Sequence, residues 1–350
     1  MYLVTYHLGP VQDFIATARR SRDLWFGSWL LSELAKAAAL EIMRQNNNDF
    51  SCLIFPSITN LEELKMEEFN VPNKVLALLR QNPKEIGRTV KEAIWKRLNE
   101  ICDDSYKNIL GEFDYVVAKR QVEDFLEFFW AFHPFNNNNY KEVRDYIEAL
   151  LNARKTTRNF LPVMWGSDVF KCSLDGYRES VIPEKIYRQM TDEQLYKEYR
   201  IRHRERLCGV CLLKRHGRSK EKSNFFSTSH MAALPLLTKL DTQHRIFVDE
   251  YIGKLKELEV ILEDLATVWP PHPVFGPYDG ELLFEERLKE FFEGERLQTA
   301  KKALRKFLQE AFDGKKPYPY YALLLADGDY MGQVIDIQET PEKHRTFSSS

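Results

Sequence analysis

Apolar positions alternate over residues 3–7 before Gly9-Pro10 interrupts them, which predicts a short strand. From 11 to about 45 the spacing changes. Phe14, Ile15, Ala18, Leu24, Trp25, Trp29, Leu30, Leu34, Ala37 and Ala38 recur at three- and four-residue steps, which predicts one long helix ending at Asn46-Asn47-Asn48. Residues 52–55 read as a strand stopped by Pro56, and 74–79 as another after Pro72-Asn73. A helix follows over about 83–102, with Pro83 in its first turn, where a missing N–H costs nothing. The aromatic stretch 122–133 fits strand or helix. The order strand–helix–strand–strand–helix–strand predicts an α+β fold with a ferredoxin-like, split βαβ unit; an unspecific α+β domain is the plainer alternative.

The pattern shifts after Tyr140. Residues 141–154 are helical and run into the basic string Arg154-Lys155-Thr156-Thr157-Arg158. Residues 165–235 lack long periodic segments, 240–310 are again helical, and Pro317-Tyr318-Pro319 precedes the most apolar run of the chain, 320–326. At 350 residues the chain is too long for one ordinary core, so two or three domains are expected. No apolar run reaches the roughly 18–20 residues a membrane span requires, and the N-terminus reads as a strand and not as a leader. A cytoplasmic protein without membrane partners is expected. A net charge of −2 limits nucleic-acid attraction to local basic patches.

Two motifs carry chemistry. In YYALLLADGDYMGQVID, residues 320–336, a buried strand would deliver Asp327 and Asp329 to its C-terminal edge. Nucleotidyl transfer needs such carboxylates to hold divalent ions that activate a hydroxyl and neutralise a triphosphate. Mg²⁺ or Mn²⁺ suits so few oxygen ligands. Gly328 would allow close backbone approach, and the N–H groups of Asp329, Tyr330, Met331 and Gly332 would open a helix toward phosphates. Otherwise Asp-Gly is a turn and Asp329 a helix cap. In the second motif, Cys208-Gly209-Val210-Cys211 is a C-x-x-C knuckle suited to Zn²⁺. Cys172 is a candidate third ligand, and Asp175, His203 or His216 could complete the set; a metal-free knuckle is the alternative. Cys52 and Cys102 read as core thiols. Residues 197–222 carry ten Lys/Arg against three acids, which fits either phosphate contact or a solvated face. Ser227, Thr228 and Ser229 open another helix as possible caps or nucleotide contacts.

These residues together resemble the large, polymerase-like subunit of type III-B (Cmr-type) CRISPR effector complexes. The resemblance rests on GPVQDFIATARRSRDLWFGSWLLSELA near the start, VPNKVLAL at 71–78 and LNARKTTRNF at 151–160. It continues through LCGVCLLKR at 207–215, FFSTSHMAALP at 225–235 and PYYALLLADGDYMG at 319–332. It implies a first palm over 1–160, a zinc-containing module over 161–238, a helical domain over 239–315 and the start of a second, catalytic palm over 316–350. It further implies that target-RNA capture switches on synthesis of cyclic oligoadenylates from ATP, in a complex with guide RNA and other subunits. Asp327 would be the catalytic metal ligand, with partners on a Gly-Gly-Asp-Asp hairpin that these 350 residues do not contain, so this chain alone is expected to be inactive. The HD nuclease domain of many relatives is not expected, since no His-Asp dipeptide occurs. His7-Leu8-Gly9-Pro10 stands where the first palm would need a carboxylate, so metal is not expected there. The resemblance's first C-x-x-C is Cys172-x-x-Asp175 here, which leaves the fourth zinc ligand open. A scaffold subunit without catalysis, binding nucleotide or RNA, is the alternative reading.

Overall fold

The computed structural model describes residues 1–349 except 67, 137–138, 158–167, 218–225, 259–265, 267, 269, 325 and 327–328. Four strands form one antiparallel sheet: β1 (Tyr2–Gly9), β2 (Leu53–Phe55), β3 (Lys74–Leu79) and β4 (Glu127–Pro134), in the order β2-β3-β1-β4. That order, with helices after β1 and β3, is the split βαβ connectivity that the apolar pattern predicts.

Strand period 2 divides the sheet's side chains between two cores. Val4, Tyr6 and Leu8 of β1, with Val75, Ala77 and Leu79 of β3, face helices Ser21–Gln45 and Pro83–Tyr106. Leu3, Leu76, Phe129 and Ala131 point the other way, onto Tyr140, Ile147 and Leu151 of helix Tyr140–Thr156. Both faces of β1 are therefore dry, and its run of apolar residues reflects that. The stretch 122–133, ambiguous in sequence, divides between helix Tyr115–Phe125 and β4.

The single helix expected over 11–45 is in fact two, Gln12–Ala16 and Ser21–Gln45. The break has a physical cause. Lys214, from a distant helix, donates its Nζ to the carbonyls of Phe14 and Thr17 and to the Thr17 hydroxyl, capturing acceptors that a continuous helix would use itself.

The cysteine-bearing segment contributes to the large core: Cys172, Val181, Ile182, Leu207, Cys208, Val210 and Leu213 pack with residues of the first 126 positions. A separate core joins helices Thr228–Leu237, Arg245–Glu257 and Gly294–Phe312, with Tyr251 stacked on Phe307 at 5.1 Å. The strand expected at 320–326 is not formed over its described residues. Tyr320, Tyr321, Leu323 and Leu324 are 79%, 54%, 85% and 93% exposed. A strand needs a neighbour for its N–H and C=O groups, and no described segment pairs with this one. Among the described residues no helix is long and apolar enough to cross a membrane.

Candidate functional site

The cysteine cluster is assembled from two turns. Cys208 is the N-terminal flanking residue of helix Gly209–His216, which puts Cys211 in the first turn. Opposite it, the chain doubles back through 172–178. There Cys172 N–H donates to Arg178 O at 2.7 Å, Gly176 N–H to Cys172 O at 2.9 Å, and Gly176 adopts φ of +77°. Only glycine takes that conformation readily. Ser173 N–H donates to Arg206 O at 2.7 Å and Val181 N–H to Leu207 O at 3.0 Å, which clip this turn onto the strand-like approach to Cys208.

The result brings Cys172, Asp175, Cys208 and Cys211 together, with one ligand atom from each lying within 4.8 Å of all the others. Cys172 Sγ and Cys211 Sγ are 3.5 Å apart, and Cys208 Sγ is 3.3 Å from Asp175 Oδ2. Tetrahedral Zn²⁺ with bonds of about 2.3 Å would separate two sulfurs by about 3.8 Å, so the donor set and spacing fit such an ion. Hydrogen bonds from the neighbouring thiols of Cys208 and Cys211 pull Cys172 far below the ordinary thiol range. Cys208 is pushed up, chiefly by burial, and Cys211 chiefly by Cys172. One thiolate is thus already favoured; a cation would favour all three.

The fourth donor brought beside the sulfurs is Asp175 and not either histidine. Asp175 Oδ1 accepts from the N–H groups of Tyr177 and Arg178, both at 3.1 Å, and Oδ2 accepts from Arg178 Nη1 at 3.0 Å, which aims the carboxylate at the sulfurs. His203 lies on the surface, paired with Asp192 at 2.8 Å. His216 is buried with Nε2 2.8 Å from Tyr199 O, and burial lowers its pKa to about 3. Cys52 and Cys102 lie in the core, their thiols pushed up to about 12 chiefly by burial.

Part of the basic segment around the knuckle has a structural use that the sequence reading missed. Arg215 is fully buried between Asp23, at 3.0 Å, and Glu205, at 3.2 Å, while Lys214 holds the 14–17 turn. Every residue of helix Gly209–His216 is buried, with Gly209 against Ala118 and Gln121, so the two basic residues have no solvated face to occupy.

The nucleotide candidates are not gathered in the same way. Ser227 caps helix Thr228–Leu237 through His230 N–H at 2.9 Å, and its hydroxyl and N–H both donate to the buried Asp279, at 2.6 and 3.0 Å. Ser227 is therefore occupied within the fold, Thr228 is exposed and Ser229 half-buried. Asp329 is exposed, Tyr330 sits at φ of +62°, and Met331 and Gly332 begin the short helix Met331–Asp336. Asp327 and Gly328 lie outside the described residues. At the end of β1, His7 is held 3.1 Å from Asn73 Nδ2 and 3.4 Å from Lys155 Nζ; burial, then Lys155 and Lys74, lower its pKa to about 4.

A family model described as CRISPR-associated protein Cmr2, N-terminal, matches residues 3–103. The CRISPR system Cmr subunit Cmr2 of Pyrococcus furiosus is 23% identical, over 95% of this chain and 44% of its own length. Two solved structures of a type III-B Cmr-beta complex each contain a chain of similar fold. The one bound to cognate target RNA gives a TM-score of 0.59 at 17% identity, over 96% of this chain and 46% of that chain. The apo state gives 0.53 at 16%, over 96% and 45%. The chain spans less than half the length of these relatives. The resemblance read from the sequence, to the N-terminal part of the Cmr-type large subunit, is borne out by all three comparisons.

Proposed function

From that likeness we propose that the protein is the large subunit of a type III-B CRISPR effector complex, working in the cytoplasm with guide RNA, target RNA and further subunits. The carrying observation is collinearity. Similarity to the curated Cmr2 runs over 95% of the chain, and the sheet and the cysteine cluster share one core within it. In this reading residues 1–160 form a palm related to nucleotidyl cyclases, 161–238 a zinc module, 239–315 a helical domain, and 316–350 the beginning of a second palm. Cys172, Asp175, Cys208 and Cys211 would hold Zn²⁺ in a purely structural role.

The catalytic proposal concerns the whole protein. It binds ATP and, on target capture, joins it into cyclic oligoadenylate. Asp327 would ligate Mg²⁺ or Mn²⁺, which when bound neutralises triphosphate charge. Around it, Gly328 would allow close approach, the N–H groups of Asp329, Tyr330, Met331 and Gly332 would orient phosphates, and Thr228 and Ser229 are candidate contacts, with Ser227 capping their helix. Rate would come from positioning and fixed dipoles and not from covalent catalysis. The test is assembly of the full-length protein into its complex with target RNA, ATP and Mg²⁺, followed by product analysis. Cyclic oligoadenylates from wild type, lost in Asp327→Ala, are expected; none from wild type, or an undiminished yield from the variant, would leave the scaffold reading in its place. The 350-residue chain alone is expected to show no turnover.

A further inference from the structure

The segment that follows the Asp-Gly-Asp motif is anchored far from where it emerges. After helix Met331–Asp336 the chain turns, and helix Pro341–Ser349 lies against β2 and the loop behind it. Arg144, from helix Tyr140–Thr156, donates Nη1 to Ile335 O at 2.7 Å and Nη2 to Asp336 Oδ1 at 2.9 Å. Tyr140 OH and His344 Nδ1 are 2.7 Å apart in a buried contact. Arg345 donates to Ile58 O and Ser57 Oγ, and Ser57 N–H donates to Ser348 Oγ at 3.0 Å. Arg144 is only 4% exposed. A guanidinium is buried at such cost only when its donors are met. Without 335 and 336, its remaining charged partner among the described residues is the half-exposed Asp145, at 3.2 Å.

We infer that Arg144 is a positioning residue that docks 331–349 onto the sheet-bearing unit. At its other end the same segment leaves helix Gly294–Phe312, which belongs to the separate helical core. Exposed Asp329 therefore lies in sequence between two anchored elements, and its placement depends on both. Ligand binding there and docking through Arg144 are reciprocally linked, since each must favour the same arrangement. The dock stands on contacts alone; its bearing on nucleotide rests on the function proposed above.

Hydrogen exchange on the 350-residue chain tests the dock. Arg144→Ala is expected to speed exchange across 331–349 about tenfold, and Asp336→Asn to speed it several-fold, with helices Ser21–Gln45 and Pro83–Tyr106 unchanged. Asp336→Asn leaves the sheet-bearing unit intact, so a folding defect there cannot produce its effect. Unchanged exchange at 331–349 in both variants, or acceleration spread evenly over the whole chain, overturns the inference. Adding Mg-ATP to the full-length protein separates the two readings. Slower exchange at 329–349 in wild type and a weaker response in Asp336→Asn support both. No response in wild type, with both variants still loosened, removes the nucleotide role and leaves the dock.

Discussion

The cysteine cluster and the Asp-Gly-Asp run are both short motifs next to an apolar stretch, yet the fold treats them in opposite ways. Around the cysteines every supporting group is present: Arg178 aims Asp175, Gln121 takes the Gly209 N–H, and Lys214 and Arg215 fasten the helix to the 14–23 region. Around 320–324 the side chains face water and the backbone has no ladder partner among the described residues. A metal knuckle closes within two turns of chain. A strand end becomes a site only when neighbouring strands hold it. A motif's spacing therefore specifies geometry only as far as its partners lie within reach.

The strongest way to break this comparison is to empty the cluster. Cys208→Ser, or chelation, is expected to remove about one equivalent of zinc and lower the Tm by on the order of 10 °C, measured by metal analysis and calorimetry. An unchanged Tm would mean the cluster is preformed by the fold alone. Next is Asp23→Ala, which leaves buried Arg215 with Glu205 and the Arg200 carbonyl and should cost about 3–5 kcal/mol in urea unfolding. The third effect lies at the dock. Burial, then Arg144 and Lys74, lower the pKa of His344 to about 4, so the folded state prefers it neutral. The unfolded chain binds more protons from about pH 6.5 downward, and stability falls as pH drops toward about 4. His344→Gln does not titrate, so the stability difference between wild type and variant should shift against wild type by on the order of 1 kcal/mol between pH 7 and pH 5. Smallest of all, Leu324→Lys, at a residue 93% exposed, should change stability by less than about 0.5 kcal/mol. A larger loss would show that the run is buried in solution.

The sheet was legible because β1, β2 and β3 are short β-rich apolar runs and Gly9-Pro10, Pro56 and Pro72-Asn73 mark their bounds. The 122–133 stretch was not, because its helix passes into β4 with only Leu126 between them. At the metal site the spacing identified three thiols. The choice of Asp175 over His203 and His216 was out of reach, since it depends on Asp192 and Tyr199 O claiming those rings first. The same limit applies to Lys214 and Arg215. Read locally they are a basic patch; Phe14 O and Thr17 for Lys214, and Asp23 and Glu205 for Arg215, all brought close by folding, turn them inward.

Gly209 carries the lesson to a different scale. Its N–H meets Gln121 at 2.7 Å, its carbonyl accepts from Tyr106 OH at 2.9 Å, and a Cβ there would lie 2.4 Å from Ala118 O. The collision comes from a helix some ninety positions earlier and not from the knuckle's own turn. If codon 209 were randomised and folded chains selected, glycine alone should return, while codon 210 next to it should accept several aliphatic residues. A selection for a metal knuckle would thus read out, at one letter, how closely two distant stretches of the gene must evolve together.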